Sequence, residues 1–328
     1  MNNPISPISV NRRGFLVGAL ALAGTAGLAA CGNGGKEAAT TSSGEAGTRE
    51  IVGQRGAVQI PVDPQRVVCV DHYTPGALLD VDYTPTAIAE FDASQVFAEY
   101  TDVYKQLPKV GKTNSADAEK VATFNPDLIL GTYLPHAPDP GYDRYLALAP
   151  TVLFATSQAG DWKDRAVAAA DAVGRKSQAE DLRKRYEERA ADLKKTYAKQ
   201  LESTKWAMVQ GSRSPNNWIL TLPQSWGGIV LTDIGVQFID YPDNGESTAI
   251  EYSFEEMGTL DAADVIVVQA DNTGAMTAPM KTVTEQPIWQ SLTAVKAGKA
   301  IPVPYFNILH YKMAMAMQDK VEEILQGL

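Results

Sequence analysis

From Lys176 to Lys205 the chain runs "KSQAEDLRKRYEERAADLKKTYAKQLESTK", with neither glycine nor proline and with many good helix formers. Leu182, Tyr186, Leu193, Tyr197 and Leu201 recur at helical spacing, a narrow apolar stripe among abundant charges. About 29 residues rising about 1.5 Å each span roughly 44 Å, more than twice an average helix. The pattern predicts a beam lying across the body of the protein, wetted on most sides. It also divides the chain, because the sequence before it and the sequence after it must each bury a core of their own.

Both halves alternate short apolar runs with helical patterns. Before the beam come "RVVCV" (66–70), "TAIAE" (86–90), "DLILG" (127–131) and "TVLFA" (151–155), separated by stretches such as "PGALLDV" and "SADAEKVATF". After it come "WAMVQ" (206–210), "WIL" (218–220), a helix near "WGGIVLTDIG", "DVIVVQA" (264–270), "AIPVP" (300–304) and a last helix from about His310 to Leu325. Strands alternating with helices predict parallel sheet layered by helices. The fold class expected is α/β, with two lobes, each a mainly parallel sheet, joined by one long rigid helix. The boundaries follow: an N-terminal lobe over 49–175, the connecting helix over 176–205 and a C-terminal lobe over 206–328. Neither half contains a short repeat.

The start of the chain reads differently. "NRRGFLVGALALAGTAGLAAC" runs from Asn11 to Cys31, with Arg12 and Arg13 followed by a stretch from Phe15 to Ala30 that carries no charge. A basic head before an apolar core predicts an export signal over residues 1–30. The twin arginine with Phe15 and Leu16 resembles the signal read by the twin-arginine translocase. Leu28, Ala29, Ala30 and Cys31 resemble a lipoprotein box, which implies lipid on Cys31 as the mature first residue. A transmembrane helix is the alternative, but the stretch is short and rich in Ala and Gly where a span wants about 20 strongly apolar residues. Residues 31–48 contain "GNGGKEAATTSSGEAG", which has no bulky apolar side chain and predicts a flexible tether. The localisation expected is the outer face of a bacterial cytoplasmic membrane, reached by export and held by lipid.

The formal charge is −10, and removing residues 1–30 takes away two arginines and no acid. So acidic a chain argues against nucleic acid as a partner. With Cys31 assigned to lipid, Cys69 is left alone within "RVVCV", where core packing is expected of it.

The order of segments resembles the substrate-binding proteins of ABC transporters in the class with a rigid helix between two lobes, the family of ferric siderophores, haem and vitamin B12. The matching phrases are "IPVDPQRVVCVD", "VGKTNSADAEKVATFNPDLILG" and "YLALAPTV" in the first half, and "YSFEEMGTLDAADVIVV" and "QPIWQSLTAVKAGKAIPV" in the second. Together they cover about residues 49–328. "DHYTPGALLDVDYTP" departs from the pattern, lacking the acidic residue before the double leucine and the "LGV" after it. The resemblance implies a noncatalytic, monomeric protein whose ligand is a ferric chelate and whose partner is an ABC permease dimer. A stiff joint implies small closure on the ligand.

Ligands of open parallel sheets bind off the carboxyl ends of the strands. In the first lobe those positions offer Asp71, His72, Tyr73, Lys112, Thr113, Asn114, Tyr133, His136 and Ser157. In the second they offer Arg213, Trp218, Trp226, Tyr241, Asp271, Tyr305 and Asn307. A ferric siderophore already fills the iron's coordination sphere, so the protein needs aromatic walls and cationic or hydroxyl donors and no metal ligands of its own. Arg213 and Lys112 are the candidate donors to oxygen edges. Trp218, Trp226, Tyr133, Tyr241 and Tyr305 are the candidate walls, with His72 and Tyr73 beside them. Any of these aromatics has core packing as its alternative role, and Trp206 and Trp289 are expected in the core.

No two of the three histidines, His72, His136 and His310, have the spacing of a local zinc site. Haem remains an alternative ligand within the same transporter class, since His136 and Tyr241 could bind iron axially from two lobes. Glu119 in "SADAEKV" and Glu255 in "YSFEEM" stand where the resemblance implies one docking glutamate per lobe for the two permease subunits, with Glu256 an ambiguity at the second lobe. An enzyme is not expected: there is no nucleophile elbow, P-loop, H-E-x-x-H or dinucleotide fingerprint between a strand and a helix.

Overall fold

The structure is a computed structural model, and it describes residues 47–113, 115–134, 141–242 and 247–328. The export signal, Cys31 and the tether lie outside these residues, as do Asn114 and His136. Among the described residues no helix is long and apolar enough to cross a membrane.

An antiparallel hairpin, β1 (Thr48–Gly53) and β2 (Gly56–Pro61), opens the described chain. Its turn uses Gly56 at φ 103°, a conformation that disfavours a side chain. The first lobe then builds a sheet from β3 (Val67–Cys69), β4 (Ala87–Glu90), β5 (Lys109–Lys112), β6 (Ser115–Ala116), β7 (Leu128–Tyr133) and β8 (Thr151–Ala155). The order is β6-β5-β4-β3-β7-β8, parallel except for the short β6. β3 and most of β7 and β8 are buried, as expected of parallel strands covered by helices on both faces. The hairpin fastens to the β8 edge, where Gln54 N–H donates to the Leu153 carbonyl at 2.7 Å.

The helix that follows β8, Trp162–Ala172, buries Ala166, Ala169, Ala170 and Ala172. Small side chains on that stripe let its backbone approach the sheet and the linking helix closely. Arg165 is buried on the same stripe.

The linking helix runs Lys176–Thr196, and a second segment, Ala198–Ser203, continues it beyond Tyr197. The single helix expected to Lys205 is therefore bent. Tyr197 takes φ −108° and ψ 23° while the Leu201 N–H still reaches its carbonyl, so the chain turns without losing that bond. The bend keeps Leu201 in the core and frees Lys205 to begin a strand. Ala179, Leu182, Tyr186, Ala190 and Leu193 form the buried stripe.

The second lobe contains β9 (Lys205–Gly211), β10 (Asn217–Thr221), β11 (Gln237–Phe238), β12 (Ala249–Ser253), β13 (Val265–Gln269) and β14 (Ala300–Val303). Their order is β12-β10-β9-β13-β14, with β11 beside the start of β9. β10 runs antiparallel to both of its neighbours. The link from Gly211 to Asn217 is too short for a crossover, so the strand must return beside β9. The last helix, Tyr311–Gln326, packs against the linking helix, against Thr74–Asp80 of the first lobe and against Trp226–Ile234 of the second, so its buried face of Met313, Met317, Val321 and Leu325 belongs to both lobes.

Candidate functional site

At the carboxyl edge of the first sheet, β3 ends and Asp71, His72 and Tyr73 follow. Asp71 Oδ1 accepts from the Thr74 N–H (3.0 Å) and hydroxyl (2.6 Å), which fixes the carboxylate at the head of the helix Thr74–Asp80. His72 Nδ1 lies 2.8 Å from Thr113 Oγ1, which follows β5, and its ring sits 3.8 Å from that of Tyr73. Burial lowers the His72 pKa below its ordinary value, opposed by the Asp71 charge and reinforced by Arg165.

Arg165 reaches this edge from the helix after β8. Its Nη1 donates to Thr156 Oγ1 at 2.6 Å, and its guanidinium carbon lies 4.8 Å from the Tyr73 ring centroid. Burial lowers its pKa, while Asp71 opposes that shift. The edge is therefore a charged floor of Asp71 and Arg165, with the Tyr73 ring over the guanidinium and the His72 ring against Tyr73. Arg165 was not among the residues expected from sequence. Its signal is a cation in register with Ala166, Ala169 and Ala170 on an otherwise apolar helical face.

Tyr133 is half-buried at the end of β7, and its carbonyl accepts from the Thr156 N–H at 3.1 Å, so it borders the same floor. Lys112 and Arg213 are exposed at strand ends, and Tyr241 is half-buried against the second-lobe core. Trp226 opens the helix Trp226–Ile234, half-buried, with a buried Nε1 that has no acceptor. That helix faces the first lobe, for a Cβ on Gly160 would lie 3.3 Å from Ile229 Cδ1.

Trp218 and Tyr305 are placed elsewhere. Trp218 is 0 % exposed, stacked on Tyr252 at 5.1 Å, with its Nε1 donating to the Ser253 carbonyl at 3.0 Å. It is a core residue, because β10 alternates and Trp218 shares its inward face with Leu220. Tyr305, at φ 72°, sets its ring 5.5 Å from that of Phe97 and so joins the lobes. Nearby, the Asn272 N–H donates to the Ser94 carbonyl (3.1 Å) and its Nδ2 to the Ala93 carbonyl (3.1 Å). Asp271 is occupied locally: bonds from Thr273 and Ala275 hold its carboxyl below the usual range.

His310 is buried at the lobe junction, with Nδ1 2.9 Å from Asp80 Oδ1. Glu119 is exposed in the first turn of the helix Ala118–Thr123. Glu255 is exposed too, whereas the neighbouring Glu256 carboxylate accepts from the Ser253 N–H and hydroxyl, both at 3.0 Å. Of the two acids in that phrase, Glu255 is the one left available.

Comparison with known proteins gives a consistent answer. A family model described as periplasmic binding protein matches residues 67–304. The probable siderophore-binding lipoprotein YfiY of Bacillus subtilis (strain 168) is 27% identical over 284 residues, covering 83% of this chain and 85% of that protein. The Fe(3+) dicitrate-binding periplasmic protein FecB of Escherichia coli (strain K12) is 26% identical over 258 residues, 76% of this chain and 80% of that one. Among solved structures, the siderophore periplasmic binding protein from the fuscachelin gene cluster of Thermobifida fusca superposes with a TM-score of 0.74 at 30% identity, covering 82% of this chain and 99% of that chain.

Proposed function

This chain belongs to the periplasmic binding protein family, is a binding protein and not an enzyme, and we propose that it captures a ferric siderophore outside the cytoplasm and delivers it to an ABC import permease. The observation that carries the reading is the floor of Arg165 and Asp71, with Tyr73 over the guanidinium and His72 beside Tyr73, at the sheet edge where such folds bind ligands. Likeness to proteins named for siderophore and ferric dicitrate binding supports the choice of ligand.

In this reading Tyr73, His72, Tyr133 and Trp226 give flat apolar contact with polar tips, and Arg165 with the exposed Lys112 and Arg213 gives donors to ligand oxygens. Tyr241 extends the wall from the second lobe. The iron keeps its own ligands throughout, so binding involves no bond to the metal. Glu119 and Glu255, one exposed on each lobe, are the docking charges for the two permease subunits and act mainly on orientation and encounter rate. Lipid on Cys31, followed by the tether of residues 31–48, holds the monomeric body near the permease, and export follows the signal in residues 1–30.

The test is a tryptophan-fluorescence titration of the full chain with a ferric trihydroxamate, a ferric catecholate, ferric citrate and haemin. Saturable quenching by a ferric siderophore or citrate, and none by haemin, is the expected result. Saturation by haemin alone replaces the siderophore with haem, and no saturation by any of the four overturns the reading.

A further inference from the structure

Three side chains at the carboxyl edge of the first-lobe sheet are buried with polar atoms that have no partner. Arg165, 3 % exposed, uses Nη1 on Thr156, while its Nε and Nη2 meet no acceptor. Asp71, also 3 % exposed, uses Oδ1 on Thr74, while its Oδ2 meets no donor. Thr132 Oγ1, on β7 between β3 and β8 in the sheet order, is orphaned as well. Buried polar atoms without partners are rare and costly, the more so on charged groups. Three at one edge therefore mark a place that something else completes.

The unpartnered atoms specify what that is. Nε and Nη2 form one side of the guanidinium fork, two parallel N–H groups that match the two oxygens of a carboxylate. Asp71 Oδ2 requires the reverse, a donor. Asp71 and Arg165 sense each other's charge, yet no hydrogen bond passes between them, so each keeps the capacity to bind a third group. A carboxylate with a hydroxyl on the adjoining carbon satisfies all three atoms at once. A bare carboxylate would satisfy Arg165 and set its charge against Asp71.

We propose that the floor beneath Tyr73 is a subsite for a hydroxycarboxylate arm of the bound chelate, held side-on by Arg165 with its hydroxyl donating to Asp71. The arm is one that the iron leaves free. This inference rests on the ferric-chelate reading and narrows it to ligands carrying such an arm, with Thr132 Oγ1 as an additional hydrogen-bonding group. Tyr73 lies over the guanidinium and covers the arm once it is seated.

The experiment is calorimetric titration of the full chain with iron-free citrate and with propane-1,2,3-tricarboxylate, which has the same carboxylates and no hydroxyl. A neutral ferric trihydroxamate and ferric citrate are run beside them. Citrate should bind at least about tenfold more tightly than the tricarboxylate, the worth of one charge-assisted hydrogen bond. Asp71→Asn should close that gap, and Arg165→Gln should weaken citrate by about tenfold or more. Arg165→Lys should fall between, since it keeps the charge and loses the fork. Equal binding of the two acids by the unmodified protein overturns the subsite without any variant having to fold, and so does trihydroxamate binding with no citrate binding, which leaves the siderophore reading intact. Citrate binding without binding of any ferric chelate does the opposite.

Discussion

Lys163 Nζ and Asp233 Oδ2 lie 2.6 Å apart where the two lobes meet, and the Tyr186 hydroxyl of the linking helix donates to the same carboxylate oxygen at 2.5 Å. Burial and the Asp233 charge push the Tyr186 phenol far up, so it stays a donor at any physiological pH. One carboxylate thus ties together the last helix before the link, the link itself and the first helix of the second lobe. Asp233→Asn keeps the shape and removes the charge. The pair is partly exposed, so we expect a loss of about 1–2 kcal/mol in urea unfolding, below that of a fully buried pair. An unchanged midpoint would remove this tie from the account of joint stiffness.

Gly76 lies against His310, and a Cβ there would stand 2.3 Å from the imidazole Cδ2. The ring has little room to retreat, held by Asp80 on one side and stacked on Tyr100 at 5.6 Å on the other. In an open helix, glycine to alanine stabilises by about 1 kcal/mol. Here Gly76→Ala should instead destabilise by about 1–3 kcal/mol through overpacking. The sign of the change in melting temperature decides between the two.

The tryptophans separate by role. Trp226→Phe should remove most of the ligand-induced fluorescence change, because Trp226 stands half-buried with a free Nε1 on the helix that faces the first lobe. Trp218→Phe should leave that change in place and lower stability, because its ring and Nε1 are engaged within the second-lobe core. Quenching that survives the first substitution and vanishes with the second would reverse the assignment.

His72 makes stability depend on pH. Its folded pKa is lowered by burial, so as pH falls through the ordinary value near 6.5 the unfolded state takes up a proton and the folded state does not. The contribution is complete above that pH and is lost as pH drops below it. Urea midpoints should therefore fall between pH 7 and pH 5, and His72→Gln should flatten that fall. An identical slope in the variant would place the dependence on another group.

Much of the architecture was legible because it rests on runs that have only one way to be buried. "TVLFA" is β8 to the residue, and "DVIVVQA" contains β13. The direction of β10 depends on the length of a connection and not on its apolar pattern, so an alternation of strands and helices suggested parallel pairing where a short turn dictates the opposite. The site was legible by position and less so by residue. Asp71, His72 and Tyr73 follow a strand that the sequence marks clearly, whereas Arg165 comes from within a helix, where a search of strand ends does not reach. Only its phase relative to Ala166, Ala169 and Ala170 turns it inward. For Trp218 the same test of phase, against Leu220, points to the core.

The bonds from Asn272 to Ser94 and Ala93 join the lobes at a second place, away from the linking helix. A body latched at both places behaves less like a pair of jaws than like a box with a fitted lid. In the proposed function, a chelate held in such a box has no large swing by which to escape, and local slips at the latch around residues 93–101 would set its release. Unloading, in that proposal, would be mechanical work done from outside, by whatever grips the two lobes and forces that latch apart.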